Sequence, residues 1–225
     1  MDWRERYERA AARYSRLEAT AAKPPSPGQG SPPSAAAAGT TRERDERRLV
    51  ALANSAWAAG LSLLMDGDRE EAAEWLRRSA ERYRESWEAG GAPDAWGRPI
   101  GALKALLIAG DDASESARWT LETCLGIRYL DMSLSPIGRY AGVLALLVLG
   151  RDEEAAAVAG TLGDGFPADV AAALSALANH DSVRYREAVA SVRRAFEERA
   201  AFLEDVPVPD TALALDVLAA SRGLG

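Results

Sequence analysis

Cysteine and histidine are almost absent from this chain. Cys124 and His180 are the single representatives of their kinds among 225 residues, so no intrachain disulfide can form and no Cys/His zinc site can be assembled. That scarcity fits a reducing compartment, and a cytoplasmic location is the expectation. Lysine is nearly missing too, with 25 Arg and 2 Lys making up the basic residues against 34 acids, for a formal charge of -7. No basic run is free of acids: Arg42 to Arg48 reads Arg-Glu-Arg-Asp-Glu-Arg-Arg. A phosphate backbone needs a net basic surface or a clear basic stripe, so nucleic acid is not expected as a partner. Long apolar runs are also lacking. The longest, Ala141 to Leu149, is about half of a membrane span, and the opening Met-Asp-Trp-Arg-Glu-Arg has no apolar signal core. Neither a membrane partner nor a leader is expected.

Strand formers are scarce, and alternating apolar and polar runs bounded by turns are not found. About a fifth of the residues are Ala, the best helix former, so the fold class is all-α. Three stretches then read almost alike: Leu63-Leu64-Met65-Asp66-Gly67-Asp68, Leu107-Ile108-Ala109-Gly110-Asp111-Asp112 and Leu147-Val148-Leu149-Gly150-Arg151-Asp152. In each, an apolar run closes one helix, Gly supplies the left-handed residue past its end, and Asp caps the next helix. Each is the turn of a helical hairpin, and its recurrence points to stacked helix pairs.

Around these turns the chain divides into three parts. Residues 2–22 carry Trp3, Tyr7, Ala10, Tyr14, Leu17 and Ala21 at alternating steps of four and three, a heptad stripe on a separate N-terminal helix. It is expected to pack on the main body, with pairing to a second copy as the alternative. Residues 23–39, rich in Pro, Gly, Ser and Ala, read as a flexible linker. Residues 40–225 form the hairpin domain. Its first helix runs to Met65 and its partner from an Asp68 capping box to Ala89. The second hairpin opens at Pro99, turns at Gly110, is capped by Asp112 and ends near Asp131. The third opens with Ser135-Pro136, and the fourth turns at Asn179-His180-Asp181 into a helix running to about Asp205. An Asp210-capped helix closes the stack. Pro99-Ile100-Gly101 and Pro136-Ile137-Gly138 open matching helices, and a Gly repeated early in a helix marks close helix contact.

The first hairpin resembles a tetratricopeptide repeat. Gly60 takes the place of the packing glycine, Gly67 the turn, Ala72 the small residue of the second helix and Leu76 its large partner, with Ser79 following. Turn-to-turn intervals of 43, 40 and 30 residues depart from the roughly 34 of that family, which widens the resemblance to helix-pair repeats in general. It implies a right-handed stack of about four irregular hairpins, as an open solenoid or a bundle, with a curved surface that binds protein or peptide. The ending Pro209-Asp210-Thr211-Ala212-Leu213-Ala214-Leu215-Asp216 is similar to all-helical immunity proteins of bacterial polymorphic-toxin systems. That resemblance implies a protein that binds and blocks one toxin.

Three features carry candidate chemistry. Asp111, Asp112 and Glu115 resemble the acid-rich magnesium motif of prenyl-transferring helical enzymes, yet they follow a turn Gly where the other hairpins place caps. Gly160-Thr161-Leu162-Gly163-Asp164-Gly165 has neither the preceding strand nor the Gly-Lys-Ser/Thr of a phosphate cradle. His180 and Cys124 have no nucleophile-and-orienter arrangement around them. Trp57 and Trp75 fall at core spacing. Trp87 and Trp96 flank a loop ahead of Arg98, and Trp and Arg are common interface anchors; Lys104, Arg139 and Tyr140 fall at the lining of a concave groove. These six are the expected binding residues of a non-catalytic protein with no cofactor and no metal. The alternatives are an immunity protein and a small-molecule enzyme or sensor using Asp111, Asp112 and Glu115.

Overall fold

The structure, a computed structural model, describes residues 2–21, 35–90, 92, 94–126 and 135–224. Most of the linker (23–34) and the end of the second hairpin near Asp131 lie outside the described residues. Helices α1 (Trp3–Ala21), α2 (Ala35–Asp66), α3 (Arg69–Glu88), α4 (Gly97–Ala109) and α5 (Ser114–Trp119) follow in order, and α5 runs on as one π-helical turn, Thr120–Cys124. Then come α6 (Pro136–Val148), α7 (Asp152–Ala159), α8 (Ala168–Ala178), α9 (Ser182–Glu197), a 3-10 turn at Leu203–Asp205 and α10 (Asp210–Ala220). No strand occurs among the described residues, and the protein is all-α.

The hairpin turns share one geometry. Gly67, Gly110 and Gly150 have φ of 96°, 79° and 67°. At each, the residue after the glycine donates back to the carbonyl five positions earlier: Asp68 to Leu63, Asp111 to Leu106 and Arg151 to Leu146. This is the Schellman closure of a helix end. The fourth hairpin repeats it with His180 (φ 55°) at the left-handed position and Asp181 donating to Ala176. Asp68 and Asp181 accept from the third amide of the helix they open, at 3.2 and 3.0 Å, and Ser135 does the same for α6.

Several expected caps are placed differently. Asp112 accepts from the Ser114 amide two residues on, while Ala113 holds the N-cap of α5. Asp152 and Asp210 are the first residues of α7 and α10, behind the N-caps Arg151 and Pro209. Of the Asp68 capping box only the Asp68 half forms: Glu71, the acid three residues on, accepts from the Tyr7 hydroxyl of α1 at 2.6 Å, and the Asp68 amide goes to Leu63. α2 starts at Ala35, so residues 35–39, read as linker, are helical; Ala35-Ala36-Ala37-Ala38 is a strong helix-forming run that continues into the body. α9 ends at Glu197 rather than near Asp205.

α1 is held against the body rather than free of it. Tyr14 is 5 % exposed, its ring edge-on to Trp75 at 5.3 Å, and Arg82 donates to its hydroxyl. Arg4 pairs with Asp66 at 2.6 Å and Arg82 with Glu18 at 2.9 Å. Trp3, Tyr7, Ala10 and Leu17 of the heptad stripe pack, partly buried, on the same cores within the chain. α2 then packs on α3, and α3 on α4. A Cβ on Gly60 would stand 2.7 Å from Leu76 Cγ and 3.0 Å from the Ala72 carbonyl, and Ser79 donates to the Ala53 carbonyl across the same interface. Gly101 meets the Tyr83 ring as closely. The stretch Arg42–Asp66 has the length and composition of a membrane span. Its Leu52, Ala56, Leu61 and Leu63 are all buried, in cores shared with α1 and α3.

The C-terminal run packs back on the earlier helices. Leaving α9, it inserts Val206 and Val208 among Trp57, Tyr83 and Ala102 of the first two hairpins. α10 then lies against α4, α8 and α9. Arg222, just past α10, reaches the Leu147 carbonyl at 2.5 Å and Asp152 at 2.6 Å. His180 holds the other oxygen of Asp152 at 2.9 Å. One carboxylate thus ties the third hairpin, the fourth turn and the chain end together.

Candidate functional site

The six residues expected to line a binding surface lie inside or against the body. Trp96 is 4 % exposed, and half-buried Trp87 sits between Trp96 and Trp119, with ring centroids 5.7 and 6.3 Å away. Arg98 is buried, donating to the Ser86 carbonyl and paired with Glu46 of α2. Arg139 and Tyr140 are buried within α6, and Tyr140 packs on Phe166 at 5.2 Å. Burial raises the Tyr140 phenol above its ordinary range, with the nearby Asp210 carboxylate adding to the shift. Trp96, Arg98, Arg139 and Tyr140 are thus buried rather than solvent-facing, while Trp87 and Lys104 are partly buried.

Lys104 shows why. It lies on α4, and there it meets Asp210 of α10, with Thr211 Oγ1 at 3.3 Å. α10 thus covers this part of α4. Burying an ion pair costs desolvation that only close geometry and further hydrogen bonds repay, and Asp210 gains one from the Thr211 amide at 2.8 Å.

The candidate catalytic groups each have structural partners. Arg77 forms a two-pronged pair with Asp111 at 2.7 and 2.9 Å, and Arg84 pairs with Glu115 at 2.8 Å. Hydrogen bonds from Ser114 hold the Asp112 carboxyl below its ordinary range. Asp112 and Glu115 line one open cleft of about 560 Å³ together with Arg77 and Arg84, while Asp111 is taken up by its pair with Arg77. Cys124 is buried in the π-helical turn, and burial pushes its thiol up to about 12, which keeps it protonated and unreactive at neutral pH.

Two surface features escaped the linear sequence. One is an apolar groove of about 420 Å³ between the end of α2, α4 and α10, where Met65 and Val217 stand 47 % and 36 % exposed. The other is a cleft of about 280 Å³ between α1 and residues 204–206, faced by Arg6, Arg9, Arg13 and Arg16. Those arginines make the basic stripe that reading along the chain did not find. In linear order Glu8 interrupts it and Glu5 precedes it, but on a helix the steps of three and four bring the arginines onto one face. Folding therefore defines an all-α protein of packed helical hairpins with a charged and an apolar groove. Comparison with known protein families, with curated proteins and with solved structures finds no match.

Proposed function

We propose that this chain is a non-catalytic cytoplasmic protein that binds another polypeptide, an adaptor or regulator built as a tetratricopeptide-like stack of hairpins. The observation that carries this reading is the division of labour among side chains. Most groups suited to chemistry are buried, capped or paired, with Asp112 and Glu115 lining an open cleft only beside Arg77 and Arg84. The charged and apolar grooves instead expose apolar side chains and guanidinium groups, the surface types that anchor protein partners. Both grooves border the same C-terminal run: residues 204–206 wall the charged one and Leu213 and Val217 the apolar one. Neutralisation of a cognate toxin is a narrower form of the same activity.

The test uses the purified full chain as bait in a lysate of its source organism, beside a thermal-shift screen of metabolites and divalent cations. Binding of a protein partner in fixed stoichiometry, with no metabolite raising the melting temperature, is the expected result. A metabolite or metal that stabilises the chain, with that gain lost on Asp111→Asn, Asp112→Asn and Glu115→Gln and no protein retained, would establish the enzyme or sensor instead.

A further inference from the structure

The charged cleft has a chemistry that its own walls disclose. Its floor is apolar, from Ala10, Ala58 and Val206, and its rim carries the four arginines of α1 over about 15 Å of helix. Two of the four are engaged by the turn opposite: Arg6 donates to the Asp205 carbonyl and Arg13 pairs with the Glu204 carboxylate. The turn Leu203-Glu204-Asp205 is thus an acidic peptide segment laid on these guanidinium groups within the same chain. The other two arginines are not used this way. Arg9 has only the exposed in-helix pair with Glu5 at 3.0 Å, and Arg16 has no ion pair or hydrogen bond among the described residues.

From this arrangement we infer that the cleft between α1 and residues 204–206 receives an acidic segment of a partner polypeptide, which extends the contact already made by Glu204 and Asp205 onto Arg9 and Arg16. Size supports a side-chain occupant, because about 280 Å³ falls just below the roughly 300–1,000 Å³ of clefts that enclose drug-sized molecules. Spacing sets the pattern. Arg9 and Arg16 are seven residues apart, about 10 Å along α1, and an extended chain covers that distance in three residues. Two carboxylates three positions apart match the two guanidinium groups, each able to form a forked pair.

This inference rests on the polypeptide-binding reading, and its test separates the two. A fluorescent peptide with two Glu three positions apart, and its Gln counterpart, are titrated into the full chain and into Arg9→Gln/Arg16→Gln, with sodium tripolyphosphate as a second probe. Neither arginine holds a tertiary contact, and equal unfolding midpoints for the two proteins check that the variant folds. The Glu peptide should bind the parent, weaken as salt rises, and bind the variant about tenfold or more weakly, as expected for loss of charge-assisted bonds; the Gln peptide should not bind. Equal affinity for parent and variant, or no binding of the Glu peptide, overturns the inference. Binding of tripolyphosphate alone overturns it in favour of a small-anion site. If the peptide fails while both parent and variant still capture the same protein partner, only this site falls; if the parent captures none, the broader reading falls with it.

Discussion

Replacing Lys104 by Met should loosen the packing of α10 on α4, and the size of the effect can be worked from the contact it removes. Lys104 and Asp210 have side chains only 13 % and 16 % exposed. Removing one partner of a buried pair costs about 3–5 kcal/mol, chiefly because the other charge is left without compensation. Asp210 would keep the Thr211 amide and its place in the first turn of α10, where a negative charge is favoured by up to ~2 kcal/mol. The loss should therefore fall at about 2–3 kcal/mol. Lys104→Met/Asp210→Leu, which removes both charges, should recover to within about 1 kcal/mol of the parent. Urea unfolding of parent, both single variants and the double variant gives the coupling from the midpoints at a common slope. A loss below about 0.5 kcal/mol in Lys104→Met, with additive single effects, would refute the reasoning, because such a pair would be no more than an exposed one.

Gly60→Ala should lower the melting temperature despite Ala's helix preference, because the new Cβ meets the core side chain of Leu76 and the Ala72 carbonyl. A gain of about 1 kcal/mol in propensity against an overpacking cost of about 1–3 kcal/mol leaves a net loss of about 1 kcal/mol, or roughly 2–4 °C in a thermal scan. Cys124 offers a pH prediction. Its folded thiol binds the proton more tightly than its unfolded one, so the stability it contributes is complete below pH 9 and is lost as pH rises toward 12. Native alkylation by iodoacetamide at pH 8 should be roughly a thousandfold slower than in the urea-unfolded chain, and comparable rates would show the thiol to be open.

How far these features could be read from the sequence depends on whether their causes are local. Gly67, Gly110 and Gly150 were legible because the left-handed residue that ends a helix is a property of the backbone itself. His180 at the fourth turn was legible only as part of a turn, since a non-glycine residue at that position carries no signal of its own. Asp68 and Asp181 cap as their positions imply, whereas Asp152 and Asp210 sit one residue later and serve distant cations, Arg222 and Lys104. Position relative to a turn does not tell a cap from a tertiary partner. Arg98 illustrates the same limit: beside a loop it reads as surface, and Glu46, 52 positions away, is what takes it inside. The charged cleft needed the fold altogether, since Arg13 and Glu204 are brought together across 191 positions.

Packing of the C-terminal run, with α10 set against α4, α8 and α9, is the central claim. Native-state hydrogen exchange across a denaturant series reports it residue by residue. With Leu215 and Leu218 of α10 buried in the same core as Leu103 and Leu107 of α4, the amides of α10 should be protected as strongly as those of α4 and lose protection together with them. Fast exchange throughout α10 at denaturant concentrations where α4 stays protected would contradict the account, since α10 would then fray independently of the core it shares with α4.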